Sequence, residues 1–172
     1  LPIRYLLNTH HHADHVSGNA NLRALGIDII GHRNIRENFL RIKQPGEPNI
    51  VFADEGALYL GGVEVRMLHY GNGHTNGDTI VYFPDLKTVH MGDLVIDGMP
   101  VIDYSGGGSA IAFVKTIDKL LELVPLVAAD PDDKIAVWAF AAVDIRGDVL
   151  DDADYARARR YFARTFGPAA KR

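Results

Sequence analysis

Between Asn8 and His15 the chain reads Asn-Thr-His-His-His-Ala-Asp-His, and inside that run stands H-x-H-x-D-H on His10, His12, Asp14 and His15. In an extended segment, residues two apart point to the same side. His10, His12 and Asp14 therefore face one cavity, just past the apolar segment that precedes them. His15 follows where the chain turns toward a helix, so its ring aims at a neighbouring point. The chain has no cysteine, which excludes disulfides, thiolate nucleophiles and thiolate-held metals. Neutral imidazole and carboxylate are the ligands zinc accepts when thiolate is absent, and iron or manganese can use the same set. Whatever fold forms must present this run at the lip of a pocket.

The rest of the chain reads as strands and helices in alternation. Ile3 to Leu7 is apolar and strand-like. Ser17 is placed to cap a short helix to about Leu25, closed by Gly26. Ile27 to Ile30 reads as a buried strand. Asn34 to Lys43 reads as a helix with Ile35, Phe39 and Ile42 near one face, stopped by Pro45-Gly46. Ala57 to Leu60 and Val63 to Leu68 flank Gly61-Gly62, a hairpin signal. A loop from Gly71 to Gly77 carries His74. Strands follow over Thr79 to Phe83 and Lys87 to Met91, the second ended by Gly92-Asp93. Gly106-Gly107-Gly108 reads as a flexible loop. No Gly-Lys-Ser/Thr follows it, so it is not a phosphate loop. Ser109 is placed to cap a helix with Ile111, Val114, Ile117 and Leu121 on one side and Pro125 at its end. Ile135 to Val143 reads as a strand and Asp151 to about Thr165 as a last helix. One domain over residues 1–172, of α/β or α+β class, follows from this order.

Three motifs in this order resemble the metallo-β-lactamase superfamily: H-x-H-x-D-H after a strand, G-H-T-x-G-D from Gly73 to Asp78, and H-M-G-D-L from His90 to Leu94. The resemblance runs from about Ile3 to Leu126 and implies an αββα sandwich of mixed sheets and outer helices. Carried over by position, it implies that His10, His12 and His74 hold a first zinc. Asp14 and His15 would hold a second, and Asp93 would bridge the two. Two cations a few ångströms apart lower the pKa of a shared water toward neutrality, and Asp14 would orient that nucleophile or return a proton.

The chain also departs from the family. The superfamily supplies the second metal with one more histidine after a late strand. That region corresponds here to Lys134 to Val143, and all eight histidines lie at or before His90. The second site is therefore expected to be one ligand short. The strands that precede the first histidine motif in the family have no counterpart either, so the domain reads as a partial sandwich, incomplete at its N-terminal end. Its exposed sheet edge is expected to be covered by another copy of the chain. The remaining histidines carry blander expectations: His11 behind the ligands or facing solvent, His32 on the surface at a helix start, His69 and His90 in packing or hydrogen bonding.

The functional expectation is a metal-dependent hydrolase acting on a small molecule with a carbonyl ester, lactone or thioester. The alternatives are β-lactam hydrolysis at the same site, and a degenerate metal-binding protein without turnover. An Asp at the bridging position favours the first over β-lactam cleavage. Asp97, Asp103 and Tyr104 follow that Asp and read as a substrate wall, with Tyr104 as a donor to substrate. A formal charge of −4 argues against nucleic acid held by a basic field. No apolar run reaches the ~20 residues that cross a bilayer. The first residues do not form a signal peptide. The compartment stays open between cytoplasmic and, with a leader lost upstream, periplasmic or secreted.

Overall fold

The first apolar run forms strand β1, Tyr5–Leu7, which stops where Asn8 opens the polar cluster. The computed structural model describes residues 3–96, 99–127 and 137–138. Beside β1 lie β2, Asp28–His32, and β3, Ile50–Phe52, in the order β1-β2-β3. Both pairs are parallel, with Leu6 opposite Ile29 and Ile30 opposite Ile50. Parallel neighbours need a crossover, and helices supply it. Helices α1, Ala13–Val16, and α2, Asn19–Ala24, connect β1 to β2, and α3, Arg33–Ile42, connects β2 to β3. The middle strand is buried over Ile29 to His32, as a parallel strand covered on both faces should be.

The second sheet is a meander. Its strands are β4, Glu55–Leu60, β5, Val63–Leu68, β6, Ile80–Phe83, and β7, Thr88–His90, all antiparallel, with β8, Val137–Trp138, parallel to β7. The hairpin expected at Gly61-Gly62 is present. Both glycines have positive φ, 59° and 83°, and Leu60 pairs with Val63. That is the two-residue turn whose twist matches the flanking strands.

Each sheet has its own helix layer. Leu68, Ile80, Tyr82, Val89 and Met91 pack with Ile117, Leu120 and Leu123 of α4, Ala110–Val127. A smaller cluster of Val16, Ile35 and Phe39 ties α1 to α3. Fully burying a side chain such as Phe39 stabilises by roughly 1.5–3 kcal/mol. The result is the mixed α/β architecture expected. Among the described residues no helix is long and apolar enough to cross a membrane.

Several local expectations are corrected. Ser17 does not cap α2. It closes α1, where its hydroxyl donates to the Ala13 carbonyl, and Gly18 stands at the start of α2. Helix α3 ends on Lys43 in the left-handed conformation, before Pro45, and Ile42 is exposed because Ile35 and Phe39 alone reach the core. On α4 the buried face is Ile117, Leu120 and Leu123, whereas Ile111 and Val114 face outward. Pro125 does not end α4, which continues to Val127; its missing N–H falls in the last turn, after the long stretch of helix has formed. Strand β3 had no sequence signal beyond three apolar residues. Of the strand expected from Ile135 to Val143, Val137–Trp138 is described. The last helix, from Asp151, lies outside the described residues.

His32 is the largest departure, because it is buried and not on the surface. It ends β2, and its Nδ1 accepts the Asn34 N–H at the start of α3. Its ring stacks on His69, just past β5, with centroids 3.8 Å apart and planes 13° from parallel. The pair thus joins the ends of the two sheets. Burial, reinforced by His69, pulls the His32 pKa from 6.5 down to about 4. The unfolded chain binds a proton at His32 below about pH 6.5 that the folded chain refuses until about pH 4. The contribution to stability is therefore full above that window and is lost as pH falls through it. His32→Asn keeps a capping acceptor and removes the titration. Its melting temperature should fall less steeply than that of the natural chain between pH 6.5 and about pH 4, as measured by circular dichroism.

Candidate metal centre

The motif residues converge because three loops are stitched together at one end of the sheets. The first leaves β1 at Asn8, the second joins β5 to β6, and the third follows β7. Thr79 N–H donates to Thr9 O at 2.7 Å, which ties the second loop to the first. Asn8 and Asn19 exchange side-chain amide bonds underneath, at 2.8 and 3.3 Å, and hold the first loop against α2. Within the G-H-T-x-G-D stretch, the buried Asp78 carboxylate accepts from Thr75 N–H and from the Thr75 hydroxyl. This brace sets the tight turn that presents His74. Burial raises the Asp78 pKa to about 6 even with the Thr75 bonds opposing.

His10, His12 and His74 meet. Their ring centroids lie 4.7 to 4.8 Å apart, and one nitrogen from each lies within 4.8 Å of the others. The tautomers of His74 and His12 follow from what their far nitrogens touch. His74 Nδ1 is 2.7 Å from the Val101 carbonyl, which only accepts, so Nδ1 carries the proton and Nε2 is a lone pair. His12 Nε2 is 2.9 Å from Asp103 Oδ2, so it donates there and Nδ1 is a lone pair. These two lone pairs face each other across 2.9 Å. His10 Nδ1 is served by the Thr9 hydroxyl at 3.2 Å, and its Nε2 is a buried nitrogen with no hydrogen-bond partner. Burial, and then the neighbouring His15, hold His10 down to about 2, so it is neutral at any physiological pH. Two facing lone pairs and an unpartnered buried His10 nitrogen at one point are an arrangement that a cation satisfies and water satisfies poorly. The donor set fits a divalent metal.

Asp93 lies between this cluster and His15. Its Oδ2 is 3.8 Å from His10 Nε2 and 3.7 Å from His74 Nε2, and its Oδ1 is 3.3 Å from His15 Nε2. One oxygen thus faces each side. Burial alone would raise this carboxyl, but the His15 hydrogen bond and the surrounding imidazoles hold it below the usual carboxylate range. His10, His15 and Asp93 form a second group able to hold an ion. Asp14 stands beside it with Oδ2 at 3.4 Å from His15 Nε2 and a side chain 77% exposed. Tyr104 is 71% exposed in the turn beside Asp103.

Asp103 was expected only as part of a substrate wall. It bonds His12 directly, and with His11 and His12 it makes a third group of metal-ligand type. Burial would raise its pKa, but bonds from Ser105, His12 and the Gly106 N–H hold it well below the usual range. Nothing in the sequence links it to His12, from which it is 91 residues away. The role of Asp78 was equally silent, although its position closing the G-H-T-x-G-D motif was a signal. His11 is buried behind the ligands, and His69 donates from Nδ1 to the Asp78 carbonyl at 2.8 Å.

Comparison with known proteins identifies the family. The family model described as the metallo-beta-lactamase superfamily matches residues 1–137. The hydroxyacylglutathione hydrolase of Crocosphaera subtropica is 33% identical over 124 residues, which cover 69% of this chain and 45% of that protein. The hydroxyacylglutathione hydrolase of Pelagibacter ubique is 32% identical over 92 residues, covering 53% and 36%. The chain therefore spans less than half the length of these relatives. Among solved structures, the metallo-beta-lactamase IND-7 matches with a TM-score of 0.67 at 20% identity, over 94% of this chain and 68% of that one. At that identity the likeness is one of fold.

The Asp78 brace generates a prediction. Asp78→Ala leaves the buried Thr75 N–H and hydroxyl without their acceptor. An unsatisfied buried donor costs about 1–3 kcal/mol, and urea denaturation of the full chain should show a loss of that size. Asp78→Asn, which keeps an acceptor oxygen, should lose less.

Proposed function

The chain belongs to the metallo-beta-lactamase superfamily, and from that premise we propose that it is a zinc-dependent hydrolase of carbonyl thioesters, with esters and lactones as secondary substrates. The observation that carries the reading is the convergence of His10 Nε2, His12 Nδ1 and His74 Nε2, each ring tethered through its far nitrogen. The thioester class is taken from the relatives named hydroxyacylglutathione hydrolase, similar over about half of this chain.

When bound, a divalent cation polarises a carbonyl oxygen and brings the pKa of water toward neutrality. The protein's part is to place ligands and move protons. His10, His12 and His74 would hold the first ion, and Asp93 would link it to a second position at His15 and Asp14. Asp14 is the exposed carboxylate at this edge and is placed to take a proton from an incoming water and pass it to solvent or to the leaving group. His10 is buried and neutral, so it binds without first releasing a proton. Iron or manganese could occupy the same nitrogen and oxygen donors. The substrate is then a small molecule whose carbonyl approaches the site past the exposed Asp14.

The test joins metal content to turnover. The full chain, purified without added metal and analysed by elemental mass spectrometry, should carry at least one zinc, iron or manganese ion. A glutathione thioester of a hydroxy acid, followed by release of free thiol, should be cleaved faster than a chromogenic cephalosporin. His74→Ala should lower thioester turnover by two orders of magnitude or more, since removing a ligand dismantles the first site. Metal bound at full occupancy with no turnover of thioester, ester or lactone would reject the hydrolase reading. Cephalosporin cleavage as the faster reaction would replace the substrate class.

A further inference from the structure

Helix α3 carries a polar stripe at helical spacing, Asn34, Asn38 and Arg41, beside the apolar pair Ile35 and Phe39. Asn38 is buried, and a buried amide has to find partners. Asn34 Nδ2 donates to the Asn76 carbonyl at 2.7 Å, and Asn38 Nδ2 donates to Asn76 Oδ1 at 2.8 Å. Asn76 N–H in turn donates to the Gly106 carbonyl at 3.0 Å. The stripe therefore docks onto the His74 loop and onto the triple-glycine loop together.

The stripe also dictates protons. Arg41 has only donors, and its Nη2 is 3.0 Å from Asn38 Oδ1, which fixes the amide with its oxygen toward Arg41. The amide nitrogen can only donate, and the N–H not used by Asn76 is shared between His11 Nδ1 at 3.4 Å and the Gly106 carbonyl at 3.5 Å, a setting that favours a lone pair on His11 Nδ1 and its proton on Nε2. That Nε2 faces Asp103 Oδ2 at 3.7 Å. The same oxygen takes the His12 Nε2–H at 2.9 Å, while Oδ1 takes the Ser105 hydroxyl at 2.6 Å. Asp103 N–H donates to the His74 carbonyl at 2.8 Å, which fixes the loop in place. Gly106 permits this closure, because a Cβ there would overlap Asp103 Oδ2 and the His11 ring.

We infer that Arg41, Asn38, His11 and Asp103 form a positioning relay that locks His12 with its proton on Nε2 and its Nδ1 lone pair aimed at the metal position. The inference rests on the metal-site reading above, but its first readout does not depend on metal or turnover. His11, the residue between two ligands in the first motif, thereby acquires a role as the link between α3 and Asp103. A carboxylate behind a ligating imidazole fixes its tautomer and raises its basicity, and losing such a partner typically costs 10–100-fold in metal affinity.

The test uses the full chain. In the metal-free protein, nitrogen-15 spectra of the imidazoles should show His11 and His12 each in a single Nε2–H tautomer. Asp103→Ala should give His12 a mixture of tautomers and weaken zinc binding, measured by chelator competition, about 10–100-fold. Asp103→Asn, which keeps an acceptor oxygen at nearly the same volume, should retain most of the tautomer and lose less affinity. Asn38→Asp puts an acceptor before His11 Nδ1 and should flip His11 to the Nδ1–H form. Zinc affinity should then fall although residue 38 does not touch His12. Unchanged His12 tautomer and unchanged affinity in Asp103→Ala would overturn the relay. Loss of one whole zinc equivalent in Asp103→Ala, with the remaining affinity intact, would also overturn it, since Asp103 would then be the ligand of a separate ion with His11 and His12.

Discussion

Two imidazole nitrogens, His12 Nδ1 and His74 Nε2, face each other 2.9 Å apart with no proton between them. That contact is tolerable only because each ring is committed at its far side, His12 to the Asp103 carboxylate and His74 to the Val101 carbonyl. Either ring, freed of its tether, would turn or change tautomer and make an ordinary hydrogen bond to the other. The loop from Met99 to Ser109 supplies both tethers. It is as much a part of the centre as the motifs that contain the ligands, although none of the expected ligands lies on it.

The centre draws its ligands from both sheets. The ligands come from the end of β1 in one sheet, from the β5–β6 loop in the other, and from the turn after β7. One apolar cluster packs β5, β6 and β7 against α4 and the other packs α1 against α3, and they share no member. The loops are then joined by polar contacts: Thr79 to Thr9, Asn34 and Asn38 to Asn76, Asp103 to His12. The stacked pair His32 and His69 adds a join of the same kind. Two of these joins, His12 with Asp103 and His32 with His69, involve ionisable groups, whereas the cores do not. Acid should therefore act on the seam through its histidines, while its amide and backbone bonds persist.

Much of this was legible in the sequence, and the reason is physical. His10, His12 and His15 lie on one short segment whose spacing alone places them, and the hairpin at Gly61-Gly62 announces itself through turn chemistry. Strand and helix periodicity located most elements of both sheets to within a few residues. What was not legible depends on contacts between distant segments. Asp103 acts 91 residues from His12, and no local pattern marks it. His32 looked like a surface residue at a helix start, and only the arrival of His69 from the other sheet buries it. The apolar stripe on α4 was misplaced because Ile111 and Val114 have the right spacing, while the sheet packs against the turns that follow. Pro125 misled for a related reason, since a proline near the end of a helix need not stop it.

Burial and ligation pull the same histidines in one direction. His10 loses its proton to burial long before any cation is considered, and the relay behind His12 orients that ring by giving its Nε2–H a carboxylate. Ligands that are neutral and oriented in advance do not have to release protons or lose rotational freedom when an ion arrives. The cost is borne by the metal-free fold, which holds two lone pairs face to face and leaves His10 Nε2 without a partner. An ion that binds the folded chain and not the unfolded one returns that cost as stability, in proportion to the logarithm of its free concentration over its dissociation constant. Affinity and fold stability are thus two readings of one quantity here. A change at Asp103 or Asn38 that loosens His12 relieves part of the strain in the empty site while it weakens the filled one, so the stability of the metal-free and metal-loaded forms should respond to it unequally.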